Sequence, residues 1–311
     1  MKRILGLIIG ITFSFASIAK GQQETQLSHY YMAIGHYNPA YAGSSTNLNL
    51  FALSRLQYVG VPDAPKSFLV TADLPLNFEK IHTGLGLSVY SESIGLFNTM
   101  HFAAQFAYRY KLLGGILSAG LQLGVVSQTF DGTQIDTPDE TEDEALPTTE
   151  VTGSGLDINA GIYYQRKNLY MSIAATHLNQ PNLTLGEKYY SYIPASYNFI
   201  AGYNIQLQNS LFELKPSVFV LTDLTNFYTD LTARMEYNKM FNGGIAYRIN
   251  NSVALLVGAR LGRFEVGYSY GIPTTSFVRA TTGSHELMIR YRFKLHKTNT
   301  GHYKHKSVRI L

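Results

Sequence analysis

The stretch His285-Glu286-Leu287-Met288-Ile289-Arg290-Tyr291-Arg292-Phe293 decides the fold class. Side chains of a strand point alternately to opposite faces. One face therefore carries Leu287, Ile289, Tyr291 and Phe293, and the other carries Glu286, Met288, Arg290 and Arg292. A soluble sheet can contain one such strand, but here the pattern recurs along almost the whole chain. Phe102, Ala104, Phe106, Tyr108 and Tyr110 oppose Gln105, Arg109 and Lys111. Tyr197, Phe199, Ala201, Tyr203, Ile205 and Leu207 oppose Asn198, Asn204 and Gln206. Leu231, Ala233, Met235 and Tyr237 oppose Asp230, Thr232, Arg234 and Glu236, and Val253 to Leu261 alternates in the same way. The first strand is less regular, and its faces stay unassigned.

This repetition predicts an all-β fold: a transmembrane outer-membrane β-barrel whose apolar face meets lipid and whose polar face lines the interior. Strands are expected near 46–58, 66–76, 81–91, 97–110, 114–128, 153–166, 168–177, 195–207, 209–221, 227–238, 239–249, 251–262, 263–271 and 283–294. That makes about 14 antiparallel strands, an even number as expected of single-chain bacterial barrels. Lipid cannot hydrogen-bond to backbone groups, so the sheet must close.

The connections supply a second argument. Short turns are expected at Asn77–Lys80, Lys111–Gly114, Lys167-Asn168, Gln208-Asn209, Asn238-Lys239 and Gly262-Arg263. Longer segments at Val59–Pro65, Phe130–Thr152, Leu178–Pro194 and Ile272–Thr282 all fall on the opposite side, where Asn250-Asn251 is the one short exception. A barrel with short periplasmic turns and longer extracellular loops sorts its connections in this way. A soluble sandwich or propeller explains the alternation but not the sorting.

The N-terminus agrees with export. Met1-Lys2-Arg3 is a basic start, Ile4 to Ile18 an apolar run, and Ala19-Lys20-Gly21 offers small residues for cleavage. The run is shorter than the roughly 20 residues of a spanning helix. Residues 1–21 are therefore expected to be a signal peptide, 22–43 a lead-in able to plug the bore, 44–294 the barrel and 295–311 a basic tail. The expected location is the outer membrane, with both termini periplasmic. The chain has no Cys, which excludes disulfide, thiolate and thiolate–zinc chemistry, and no Trp among its 23 Tyr and 17 Phe, so any interfacial girdle is built from Tyr and Phe.

The loop from Asp131 to Glu150 is acidic and holds no Lys or Arg. Asp136, Asp139, Glu140 and Asp143 are its candidate ligands for a hard cation such as calcium. The loop lacks the spacing and turn glycine of an EF-hand, and its composition fits a solvated loop better. Arg109, Arg234, Glu236, Arg248, Arg260, Glu265, Glu286, Arg290 and Arg292 face inward in this reading. They either line a conducting channel or pair into ladders that stiffen a closed barrel, and both arrangements suit the architecture.

No enzyme is indicated. The nine His carry no H-E-x-x-H, and the acids are scattered. His101 and His177 are expected in strands as interface or surface residues. No cofactor is expected, and nucleic acid is not an expected partner. In the tail, Lys294, Lys297, Lys304, Lys306 and Arg309 offer either an electrostatic contact to a periplasmic partner or a solubilising terminus.

Several strings carry a family resemblance. Asn38-Pro39-Ala40-Tyr41-Ala42-Gly43 comes first, then Gln57-Tyr58-Val59-Gly60, Ala64-Pro65-Lys66-Ser67 and Gly84-Leu85-Gly86-Leu87-Ser88. Leu214-Lys215-Pro216-Ser217, Gly244-Ile245-Ala246-Tyr247-Arg248, Gly267-Tyr268-Ser269-Tyr270, Gly283-Ser284-His285-Glu286-Leu287 and Tyr291-Arg292-Phe293 follow in order. Together they resemble the PorP/SprF family of outer-membrane proteins of the type IX secretion system and gliding machinery in Bacteroidetes. Gly271 stands where the family pattern has Asp, and the acidic loop and basic tail are particular to this chain.

The resemblance implies a non-enzymatic barrel that docks or anchors a secreted adhesin or other cargo by its C-terminal sorting domain. It also implies contact with periplasmic ring or lipoprotein components, with outer-membrane lipid around the barrel. Asn38, Pro39, Tyr41, Tyr58, His285 and Glu286 are the candidate partner-binding residues, with packing and strand register as their alternative role. The competing function is a diffusion channel or a fatty-acid-type transporter of hydrophobic substrates, in which residues 22–43 would serve as the plug.

Overall fold

The computed structural model describes residues 24–78, 81–134 and 147–295. The expected signal peptide over 1–21, the acidic candidates Asp136, Asp139, Glu140 and Asp143, and the expected basic tail from 296 onward lie outside the described residues.

Alternation does build strands where it was read. In chain order these are β1 (Asn47–Leu56), β2 (Lys66–Phe78), β3 (Ile81–Ile94), β4 (Phe97–Leu112), β5 (Gly115–Asp131), β6 (Glu150–Arg166) and β7 (Leu169–Thr176). A small hairpin follows, β8 (Asn182–Leu185) and β9 (Tyr189–Tyr192). The wall resumes with β10 (Ser196–Tyr203) and β11 (Ile205–Gln206), one strand interrupted at Asn204, then β12 (Phe212–Thr222) and β13 (Phe227–Tyr237). It ends with β14 (Phe241–Arg248), β15 (Ser252–Leu261), β16 (Phe264–Pro273) and β17 (Ser284–Lys294).

Each wall strand pairs antiparallel with its chain neighbours, and β1 closes on β17 from Asn47↔Lys294 to Leu56↔His285. The result is a closed barrel of 14 strands. Strands β4, β5 and β6 run for 16, 17 and 17 residues. A bilayer needs only about 10, so this part of the wall extends past the hydrocarbon layer. The β8–β9 hairpin leans on it, with Leu183 packed among Val126 and Ile193.

The outward faces are apolar. Phe102, Phe106, Leu121, Leu123, Leu255, Val257, Leu287 and Ile289 are all exposed, as a lipid-facing belt requires. Inside, the barrel is filled by the lead-in. A one-turn helix α1 (Ile34–Tyr37) and a 3₁₀ turn (Pro39–Tyr41) fold residues 24–43 into the bore. Leu27, Tyr30, Ile34, Tyr37 and Ala40 are buried against Phe51, Leu53, Leu69, Ile200, Phe219, Leu256 and Met288 from the inner wall. This explains the irregular first strand. Phe51 and Leu53 point inward yet are apolar, because what they meet is protein and not water.

Candidate functional site

Among the described residues a cavity lies on each side of the lead-in. The larger, of about 840 Å³, is a vestibule at the long-loop end. Its sides come from the β3–β4 turn (Ile94, Phe97), the segment after β9 (Ile193–Tyr197) and the β12–β13 turn (Thr222–Thr225). Glu24, His36 and Tyr37 of the lead-in form its floor. The smaller, of about 120 Å³, lies beneath and is bounded by Met32, Gly35 and Tyr41 of the lead-in with Asn49, Asp73 and Arg290.

The vestibule floor holds a cluster that the sequence did not suggest. Asp157 on β6 receives His177 Nδ1 at 2.7 Å and stands 2.9 Å from His101 Nε2. His177 also reaches Glu24 Oε1 through Nε2 at 3.1 Å, and the Thr176 hydroxyl donates to the same oxygen at 3.0 Å. His101 is a buried strand residue and His177 sits just past the end of β7, so neither is the surface histidine expected of it. Burial opposes the protonated imidazole of His177, but its hydrogen bonds to Asp157 and Glu24 outweigh that and push it up to about 10. The Glu24 carboxyl is driven upward by burial, yet His177 holds it below its ordinary value. His36 packs on the rings of Tyr37 and Tyr90 at 4.9 Å each, and burial takes it down to about 4 with Glu24 opposing in part.

Lower in the bore the inward charges are paired. Arg248 grips Asp230 through Nε at 2.8 Å and Nη2 at 2.7 Å, and it donates to the Gln26 carbonyl at 3.1 Å. Glu265 gathers Arg260 at 3.1 Å and Arg292 at 2.5 Å, with Arg290 at 3.9 Å. Lys215 bridges to Glu236 at 2.9 Å. Arg234 lies over the Tyr31 ring at 3.3 Å, and Arg109 donates to the Gly43 and Ser44 carbonyls. Of the two arrangements open from sequence, channel lining or paired ladder, the ladder is the one found among the described residues.

A family model described as type IX secretion system membrane protein PorP/SprF matches residues 19–291. The chain belongs to the PorP/SprF family. No curated protein matches it in sequence. Among solved structures it is similar to the outer-membrane protein Omp33 of Acinetobacter baumannii, at 7% identity over 79% of this chain and 98% of that one, with a TM-score of 0.49. It is also similar to the toluene transporter TbuX of Ralstonia pickettii, at 13% identity over 85% and 94%, TM-score 0.49. The toluene transporter TodX of Pseudomonas putida is a third, at 9% identity over 88% and 95%, TM-score 0.49.

In this PorP/SprF barrel the Asn38–Gly43 string holds the lead-in to the wall. Asn38 Nδ2 donates to the Ile162 carbonyl at 2.9 Å and to Ser172 Oγ at 2.8 Å, while its Oδ1 accepts the Ala40 amide at 2.8 Å. Pro39 opens the 3₁₀ turn, where its missing N–H costs nothing. Tyr41 meets Tyr163 edge-on at 5.3 Å. The wall makes room through glycine: a methyl on Gly84 would strike the Ala42 carbonyl, and one on Gly120 would strike the backbone of Ala40.

Glu286 is the second fastening of the PorP/SprF lead-in. Fully buried, it accepts the backbone amides of Ser28 at 2.9 Å and His29 at 2.8 Å, and Arg55 Nη1 at 3.0 Å. Its neighbour His285 faces the other way and bonds the Tyr268 hydroxyl at 2.6 Å on the outer wall. Tyr58 belongs to neither group. It sits in the β1–β2 loop with its amide on Ser284 Oγ at 3.1 Å and its ring 5.0 Å from that of Phe277. The six candidates therefore do not converge: Asn38, Pro39, Tyr41 and Glu286 fasten the lead-in, His285 is on the wall, and Tyr58 is in a loop.

Proposed function

We propose that this PorP/SprF protein is a receptacle of the type IX secretion system, not a conduit. Its long-loop face is extracellular and docks an exported surface protein through that protein's C-terminal sorting domain. Its short-turn face and basic tail meet the periplasmic machinery. The observation that carries this reading is the fastened lead-in, which divides the bore into a vestibule open toward the long loops and a small cavity below. A docked partner needs an outward recess with a firm floor, whereas a pore needs continuity.

The family's role in secretion supports the docking half of the reading. Against the diffusion or fatty-acid alternative stands the vestibule lining, which among the described residues includes no Lys or Arg to receive a carboxylate. Affinity capture of the tagged barrel from its native outer membrane, with mass spectrometry of what accompanies it, is the test. Recovery of a large exported protein with a terminal sorting domain, or of periplasmic lipoproteins, is the expected result. Recovery of the barrel alone, together with ion conduction or fatty-acid uptake after reconstitution, would overturn it.

A further inference from the structure

The vestibule is one-sided in charge. Glu24, Glu92 and Asp223 line it, and His177, held by its neighbours, is already committed to Asp157 and Glu24. Glu92 accepts Ser67 Oγ at 3.0 Å and the Thr25 hydroxyl, so it is oriented as an acceptor. Burial pushes the Asp223 carboxyl up, but its Oδ1 accepts the amides of Thr225 at 2.8 Å and Asn226 at 2.6 Å, and together these hold it below the ordinary range. Gln128 Oε1 is a buried acceptor on the same lining with no hydrogen-bond partner among the described residues.

The walls between these acceptors are aromatic. Tyr37, Tyr90, Phe97, Tyr192, Tyr197 and Tyr228 surround the space. Carboxylates within a ring-lined recess match a cation on an apolar stem: the rings attract the charge and cover the methylenes, and the carboxylates receive its N–H groups. An anionic ligand would meet these carboxylates with like charge, and a purely apolar one would leave Gln128 Oε1 without a donor, at a cost of about 1–3 kcal/mol.

We infer that the vestibule captures Lys or Arg side chains from an extended basic segment of the exported partner, with the ammonium or guanidinium directed at Glu92 and Asp223. This rests on the docking reading above and names the chemistry that the recess selects. At about 840 Å³ the space takes a few side chains and their backbone, not a folded domain. The bulk of such a partner therefore stays above the loops.

The test uses the full-length barrel in detergent micelles and a short fluorescent peptide of Gly and Lys, with Arg and Glu counterparts, read by polarisation. The Lys and Arg peptides should bind and the Glu peptide should not. Glu92→Gln keeps the shape and removes the charge, and Asp223→Asn keeps the turn. Each should weaken Lys-peptide binding about tenfold, the effect of one lost charge pair. Heat-modifiable migration on a gel shows that both variants are folded.

Equal binding of the Lys and Glu peptides, or Lys-peptide binding untouched by both substitutions, would overturn the inference. Its fate is separable from that of the docking reading. A partner that co-purifies equally with wild type and Glu92→Gln leaves docking intact and removes the basic-segment inference. Peptide binding without any co-purifying partner does the reverse for docking.

Discussion

Glu286 Oε1 stands 2.6 Å from His29 Nδ1 and also accepts the His29 backbone amide, so one carboxylate oxygen on the last strand holds both ends of one lead-in residue. The other oxygen takes Ser28 and Arg55. Removing a member of such a buried set leaves charge and amides without partners, typically at a cost of about 3–5 kcal/mol. Glu286→Ala should therefore release residues 27–33 from the wall before the barrel itself is lost. Hydrogen exchange at the Ser28 and His29 amides should accelerate strongly in the variant, and less in Glu286→Gln. Unchanged exchange at both amides would mean the lead-in is held elsewhere.

The close approach of the Asn38–Gly43 string to the wall makes a second prediction. A Cβ at Gly84 meets a backbone carbonyl, which cannot rotate away as a side chain would. Gly84→Val should displace the Ala42–Gly43 turn and cost about 1–3 kcal/mol, the usual range for overpacking. Gly95, in the β3–β4 turn, has open space where a Cβ would go. Gly95→Asn at its φ of 57° should be mild, since Asn tolerates that region. Comparing denaturant midpoints of the two variants in micelles checks the contrast.

The wall was legible because lipid on one side enforces period-2 alternation, and all 14 wall strands fall within a few residues of their expected positions. What was not legible follows from the interior. Alternation presumes a polar lumen, but Phe51, Leu53, Leu69 and Met288 face an apolar lead-in, which blurs the pattern on β1. The His101–Asp157–His177–Glu24 cluster joins four segments far apart in the chain through barrel register, and no local spacing announces that. The inward alternation of Asp157 on β6 was the one available hint. Glu286 was singled out within a motif string, yet its partner Ser28–His29 lies at the other end of the chain.

Acid should loosen the vestibule floor. His36 has a folded-state value of about 4 against an ordinary 6.5, so between those values the unfolded lead-in binds more protons than the packed one. Its contribution is present above pH 6.5 and is lost as pH falls through 4. The lowered Glu24 acts in the same direction. His177 runs the other way: raised to about 10, its contribution is full below 6.5 and is lost as pH rises through 10. Protection of the lead-in amides should thus be greatest near neutral pH and fall on both sides. His36→Phe should flatten the acid limb and leave the alkaline one. A variant whose acid limb is unchanged would assign that limb to other groups.

The lipid belt can be separated from ordinary exposure by two leucines of neighbouring segments. Leu123, near the middle of β5, is 57% exposed, and Leu113, in the turn between β4 and β5, is 77% exposed. In water the more exposed position is the more tolerant, but both would accept Arg with little penalty. In a bilayer, depth decides. Arg at the midplane of a barrel costs about 2–4 kcal/mol, falling to about 0–1 near the interfaces. Leu123→Arg should lower folding stability in lipid vesicles by the larger amount and Leu113→Arg by the smaller. Because the difference comes from the hydrocarbon and not from packing, it should shrink when the same variants are compared in zwitterionic micelles, whose thin apolar layer lets the guanidinium reach water.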